Sequence, residues 1–353
     1  MDALRLVAPD EKLRVIALAC GALGVRLIQG LLDCPDVADI IAFMPVTNVK
    51  GYGNLTDQGV ETELRQLVET SQIEFLDTVS VNSKEFLDVL DQLKPHVVLL
   101  GEWPEIIGPA VVGHEDLIIV NSHGSLLPEF RGANPYLATI FYGAKETGYT
   151  FHLVDTGIDT GDILFQEALE VEEGETALNL YVRSAERMGQ TIGKLFSDLV
   201  AGTLVPQQQK GKGSYVPAVR PEWGWIQWQL DPFILGRRIR AIFGYVPLRT
   251  TINECVVGFK NGYLIPSRSQ PSPAAQSQAA PNNAEVIEAG VVVANKSPDF
   301  VMTTLDPDWY VELTDAFVFG MTSPQSDEFI RSVQPGDQCE SVAFDHVIKA
   351  ESE

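Results

Sequence analysis

Val120-Asn121-Ser122-His123-Gly124-Ser125-Leu126-Leu127-Pro128 follows directly on Asp116-Leu117-Ile118-Ile119, and the junction between the two decides how this chain folds. The apolar run ending at Val120 has the length and β-branched content of a buried strand. The polar Asn121 is where that strand is expected to leave its sheet. His123 comes two residues later and shares a face with Asn121 if the chain stays extended. An amide donor and an imidazole beyond the carboxyl end of a buried strand are parts that acyl-transfer chemistry uses. The same two side chains also serve to cap a turn, and the triplet by itself does not choose.

Working outward, residues 14–20 read as a continuous apolar strand, with glycines at 21 and 24 and a helical pattern reaching residue 32. Strand, glycine turn and helix open a doubly wound α/β unit. The glycines do not form G-x-G-x-x-G, so the turn is read as packing rather than a dinucleotide site. Further strands are expected over residues 38–44, 73–75, 97–100, 148–154 and 163–171, and helices over 61–70, 83–94, 136–142 and 176–200. Ser83 and Thr176 are expected caps, and Gly202 a stop. Residues 45–60, with one Lys50, read as a long surface loop. The fold class is α/β, a doubly wound, Rossmann-like, parallel-rich sheet, with a first domain over 1–204.

Past residue 207 the texture changes. Trp223, Trp225 and Trp228 crowd together, residues 231–243 have helical spacing with Arg237, Arg238 and Arg240 on the polar side, and short strands follow. Residues 267–284, rich in Pro, Ser, Ala and Gln, are expected to be a disordered insertion. A smaller, mostly β second domain is therefore expected over 205–345, with the tail after Gly336 irregular.

The 353 residues carry 25 Lys+Arg against 48 Asp+Glu, a formal net charge of -23. Such a field repels phosphate backbones and acidic membranes. Cys20, Cys34, Cys255 and Cys339 have no C-x-x-C spacing and read as core residues in a reducing compartment. The amino terminus has neither a signal-peptide pattern nor a span of about 20 apolar residues, so a cytoplasmic location is expected.

Asp159 lies 36 positions after His123 on a loop dense in Asp, Gly and Thr, where a crossover helix and returning strand can bring the two together. A carboxylate there is expected to raise the histidine pKa above its reference of about 6.5 and to fix the ring. His152, inside the strand over 148–154, reads as a core or strand-face residue. No G-x-S-x-G elbow is present, which favours direct attack by an external nucleophile on a carbonyl. No H-E-x-x-H or Cys/His set supports a metal.

Asn121-Ser122-His123-Gly124-Ser125-Leu126-Leu127-Pro128, then Arg131-Gly132, then Gly157-Ile158-Asp159-Thr160-Gly161-Asp162-Ile163, resembles the formyltransferase family that uses 10-formyltetrahydrofolate. The resemblance covers about residues 14–202 and fades after residue 250. It implies a barrel-like second domain and 10-formyltetrahydrofolate as co-substrate. Asn121 and His123 would stabilise the oxyanion formed when an amine attacks the formyl carbon, and Asp159 would hold His123 charged and help remove the amine proton. Ser125, Leu126, Leu127 and Pro128 would shape the donor pocket. Leu100, Gly101, Trp103, Ile107, Asp155 and Gly157 would hold the pterin ring. Gly101-Glu102-Trp103 departs from the small, apolar run of the tRNA enzymes. Gly124 suits the tRNA and sugar formyltransferases, since the purine enzymes carry proline there. The acidic charge and the single basic residue in the loop over 45–60 favour a small-molecule amine, such as a nucleotide-linked amino sugar, over tRNA. Methionyl-tRNA formylation and hydrolysis of the formyl donor are the alternatives, and a homodimer is left open.

Overall fold

The computed structural model describes residues 11–45, 58–78, 80–115, 117–266 and 289–340, with residues 3, 4, 6 and 8. The chain opens with β1 (Leu13–Ala19), α1 (Gly21–Leu32), β2 (Val37–Pro45), α2 (Gln58–Thr70) and β3 (Glu74–Thr78). Next come α3 (Lys84–Leu93), β4 (Val97–Gly101), α4 (Pro109–Val112), β5 (Ile118–His123), the two-residue β6 (Arg131–Gly132) and α5 (Pro135–Tyr142). A hairpin of β7 (Glu146–Leu153) and β8 (Ile163–Glu170) and the long α6 (Ala177–Ala201) complete this half.

Seven of these strands form one sheet in the order β3-β2-β1-β4-β5-β7-β8. The first five run parallel, and β7 and β8 join antiparallel. All five residues of β4 and most of β1 are buried, because crossover helices cover both faces of a parallel sheet. On one face Phe43, Phe86, Leu90 and Trp103 pack together. On the other, α1 and α6 contribute Leu23, Leu27, Met188 and Ile192 to a larger core. The expected caps are present: Ser83 accepts from Phe86 N at 3.2 Å, Thr176 from Asn179 N at 3.1 Å, and left-handed Gly202 ends α6.

The second half holds β9 (Tyr215–Val216), which pairs with β6, then α7 (Pro232–Ile242), β10 (Leu248–Ile252) and β11 (Cys255–Pro266). After these come β12 (Val292–Asn295), β13 (Phe300–Thr303), β14 (Trp309–Val318), α8 (Ser323–Ser332) and β15 (Cys339–Glu340). They form a curled antiparallel sheet in the order β12-β13-β14-β11-β10-β15, the half-barrel expected of the second half. Trp228 is buried beneath it, its Nε1 donating to Thr250 Oγ1 at 3.0 Å.

Three expectations change. The strand does not stop at Val120 but runs on through His123, because β7 continues to pair with it after β4 has ended. The tail after Gly336 is not wholly irregular, since β15 pairs with β10. Helix α8 lies beyond the short β segments expected to carry on to Phe319. The insertion expected over 267–284 lies outside the described residues, as does most of the loop expected over 45–60, whose last residues open α2. No described helix is long and apolar enough to cross a membrane.

Candidate active site

Strand β5 places Asn121 and His123 two residues apart and therefore on one face of the sheet, with Ser122 on the other. Across the ladder Asn121 stands opposite His152, and His123 opposite Thr150. Directly opposed residues of antiparallel strands share a face. His152 is therefore beside Asn121, in the candidate site.

The loop between β7 and β8 brings the carboxylate. Asp155 Oδ1 accepts from Gly157 N at 3.0 Å and Thr160 Oγ1 at 2.6 Å, a side-chain-closed turn that shapes the loop from within. Asp159 follows with φ 53°, in the left-handed region. Its Oδ1 accepts from Asn121 Nδ2 at 3.1 Å and lies 3.4 Å from His152 Nε2. Its Oδ2 accepts from Gly132 N at 2.8 Å and lies 3.5 Å from His123 Nδ1. One carboxylate thus sits between two imidazoles.

The backbone assigns protons to both rings. His123 Nε2 lies 2.8 Å from the Phe130 carbonyl, and His152 Nδ1 lies 2.7 Å from the Leu153 carbonyl. A carbonyl only accepts, so each of these nitrogens carries hydrogen. His152 Nε2 then accepts from Asn121 Nδ2 at 3.1 Å when the ring is neutral. Both Asn121 amide protons are engaged at rest, one on Asp159 and one on His152.

Burial pushes the His123 pKa down, Asp159 opposes this, and the neighbouring His152 adds to the lowering. The net direction is downward, against the expected rise, because the strand extension buries the ring to 6% side-chain exposure. Burial alone would raise the Asp159 pKa. The two histidines and Gly132 N outweigh that and hold it well below the usual carboxylate range. Asp159 is therefore ionised throughout the neutral range.

Other expected residues fall around this centre. Leu100, the partner of Asn121 in the β4–β5 register, is buried with Trp103 and Ile107, and Gly101 ends the strand beside them. Trp103 Nε1 is buried with no hydrogen-bond partner among the described residues. Ser125 Oγ donates to Glu129 O at 2.5 Å, Leu127 N donates to Thr150 Oγ1 at 3.3 Å, and Pro128 O accepts from Ser214 N at 3.2 Å. Leu126 packs beneath Gly148. The 125–128 turn is thus fastened by its own backbone and by β7. Gly124 lets the Tyr136 ring in, since a methyl group there would fall 2.1 Å from Tyr136 Cζ.

Glu102, the departure noted in the sequence, is half-buried where β4 meets α1, at the point where the strand order reverses. Its carboxyl accepts from Tyr181 OH, and that hydroxyl accepts from Leu23 N at 3.1 Å. Burial pushes the Glu102 pKa up to about 7, with the Tyr181 hydrogen bond acting the other way.

Residues 33–194 match the family described as formyl transferase. The methionyl-tRNA formyltransferase of Caldanaerobacter subterraneus subsp. tengcongensis is 33% identical over 181 residues, 51% of this chain and 59% of that protein. The chain spans about three fifths of the length of the first curated relatives it matches. An N-formyltransferase from Helicobacter canadensis, solved with folinic acid and dTDP-3-aminofucose, superposes with a TM-score of 0.59 at 16% identity, over 86% of this chain and 99% of that one. HypX from Aquifex aeolicus, solved with tetrahydrofolic acid, gives 0.60 at 15% identity, over 92% and 48%. Residues 33–194 of the chain are thus similar to the formyl transferase family, and the likeness in fold extends beyond them.

Proposed function

We propose that this protein transfers a formyl group from 10-formyltetrahydrofolate to a primary amine, by direct attack on the formyl carbon. The observation that carries this is the Asp159 carboxylate held between His123 and His152, with Asn121 on the same face. An ionised carboxylate is placed to take the proton that the attacking amine must lose. His123, disfavoured as a cation at rest by burial, gains proton affinity when a formyl oxygen beside it turns negative, so its stabilisation favours the transition state over the ground state. Asn121 supplies a second donor. Protonation of His152 would let its Nε2 donate to Asp159 Oδ1 and so release one Asn121 proton for that oxygen. The buried Leu100, Trp103 and Ile107, with a Trp103 N–H that has no partner among the described residues, suit a flat heteroaromatic ring carrying a hydrogen-bond acceptor.

For the acceptor we favour a small amine, such as a nucleotide-linked amino sugar. The formal net charge of -23 opposes a polyanionic partner. Arg238 is largely taken up in packing, its guanidinium 4.9 Å over the Phe141 ring and donating to Gln227. Methionyl-tRNA is the second reading, supported by the names of the curated relatives and by Arg237 and Arg240, whose buried Nε atoms have no partner among the described residues. Incubation with 10-formyltetrahydrofolate, a panel of amino sugar nucleotides and charged initiator tRNA, with mass detection of formyl gain, separates the two. Formate release with no amine added would instead mark a hydrolase.

A further inference from the structure

The segment joining the two halves does not simply connect them. Gln207 exchanges two main-chain hydrogen bonds with Ile163, at 2.8 and 2.7 Å, which sets the segment against the loop that carries Asp159. Two residues on, the Gln209 side chain is fully engaged. Its Nε2 donates to the carbonyls of Asp159 and Gly161, both at 2.8 Å. Its Oε1 accepts from Nε and Nη2 of Arg131, at 3.2 and 2.7 Å. Both amide protons and both lone pairs are thereby used.

Asp159 needs such support. An aspartate tolerates the left-handed region better than most residues, but its conformation there still depends on the bonds that hold it. Its carbonyl is gripped by Gln209, and its carboxylate takes Gly132 N, the residue next to Arg131. One amide therefore ties the Asp159 loop to the strand that follows the His123 turn.

We propose that Gln209 is a positioning residue, setting the Asp159 carboxylate against His123 and His152 from the segment between the two halves. Only the kinetic part of its test rests on the formyl-transfer reading. The plainer view, that Gln209 merely pins the segment, makes a different prediction in a double-mutant cycle.

The test compares the full-length wild type, Gln209→Met, Asp159→Asn and the double variant. It follows the His123 and His152 titrations by NMR and the kinetics with 10-formyltetrahydrofolate. Misplacement of a reacting group by about 1 Å costs on the order of 100-fold in rate. Gln209→Met is expected to lower kcat by that order with the KM for the formyl donor unchanged, and to move the His123 titration. In the Asp159→Asn background both effects should largely vanish, because Gln209 acts through Asp159. Additive effects, or wild-type titrations in Gln209→Met, would overturn the proposal. If the wild type transfers no formyl group, the functional reading falls and the titrations still decide the placement. Should Gln209→Met fail to fold, Gln209→Asn keeps the amide one methylene short and carries the same comparison.

Discussion

The rings of His123 and His152 stand edge to face, their centroids 6.3 Å apart and their planes at 78°. Two imidazoles this close, both buried, compete for one counter-charge, the Asp159 carboxylate. A single negative charge favours one cation, and a second on the neighbouring ring would be repelled.

Asp159→Asn keeps the shape and removes that charge. The His123 pKa, already lowered by burial, should fall further, which NMR titration reads directly. Turnover at neutral pH should drop sharply. Because the folded-state pKa of His123 lies below its reference, the unfolded chain takes up this proton first. The associated stability is complete above about 6.5 and is lost as pH falls below it. The depressed Asp159 adds stability that is complete above an unfolded value of about 3.9 and is lost on further acidification. Asp159→Asn should flatten the lower part of the melting-temperature curve.

Asn121→Ala removes the side chain proposed as an oxyanion donor. Such a loss typically costs about 2.7–4 kcal/mol of transition-state stabilisation, roughly 100- to 1000-fold in kcat. Near-wild-type turnover in the first reliable assay would exclude this role.

His152→Leu strips a partner from Asn121 and from Asp159 at once. Leaving buried polar groups unsatisfied costs roughly 1–3 kcal/mol, and denaturant unfolding should register a loss in that range together with reduced turnover. An unchanged kcat would make His152 a bystander.

Glu102→Gln concerns stability rather than turnover. The folded-state pKa of Glu102, raised to about 7 by burial, means that the folded protein holds this proton after the unfolded chain has lost it. The group's contribution is complete below an unfolded value of about 4.3 and is lost as pH rises towards 7, at about 1.4 kcal/mol per pH unit. The variant should lose that decline and melt higher than wild type at pH 7.5. A parallel pair of melting curves across pH 4–8 would show that the carboxyl does not titrate there.

Gly124→Ala puts a methyl group into the Tyr136 ring, whose hydroxyl bonds Ser184 at 3.2 Å deep in the core. Overpacking of this kind costs about 1–3 kcal/mol, and the residue displaced beside it is His123. Stability and turnover should fall together, and Tyr136→Leu in the same chain should restore part of the stability.

The α/β class is legible in the sequence because buried parallel strands such as β1 and β4 must be apolar on both faces. Local chemistry also reads through: Ser83, Thr176 and Gly202 mark helix ends through bonds made within a turn. Asn121, His123 and Asp159 stand out as polar residues bordering apolar runs, and the fold brings them together. What stays hidden depends on pairing between distant strands. His152 enters the site only through the β5–β7 register, which also carries β5 past the polar Asn121. Helix α8 has few apolar positions, yet Thr322 and Gln325 form a capping box, a signal four residues long that announces it.

The pairing of β9 with β6 gives the chain an order of completion. A ribosome has delivered every strand of the first sheet once Glu170 has emerged, and that layer can form with its helices soon afterwards. The turn after His123 is still unfinished at that moment. Phe130, whose carbonyl takes the His123 ring, waits for Ser214 to accept its amide proton at 2.9 Å, and Arg131–Gly132 waits for Tyr215–Val216. A chain emerged only as far as residue 204 would hold the sheet with an unset site, and emergence of a dozen more residues would set it.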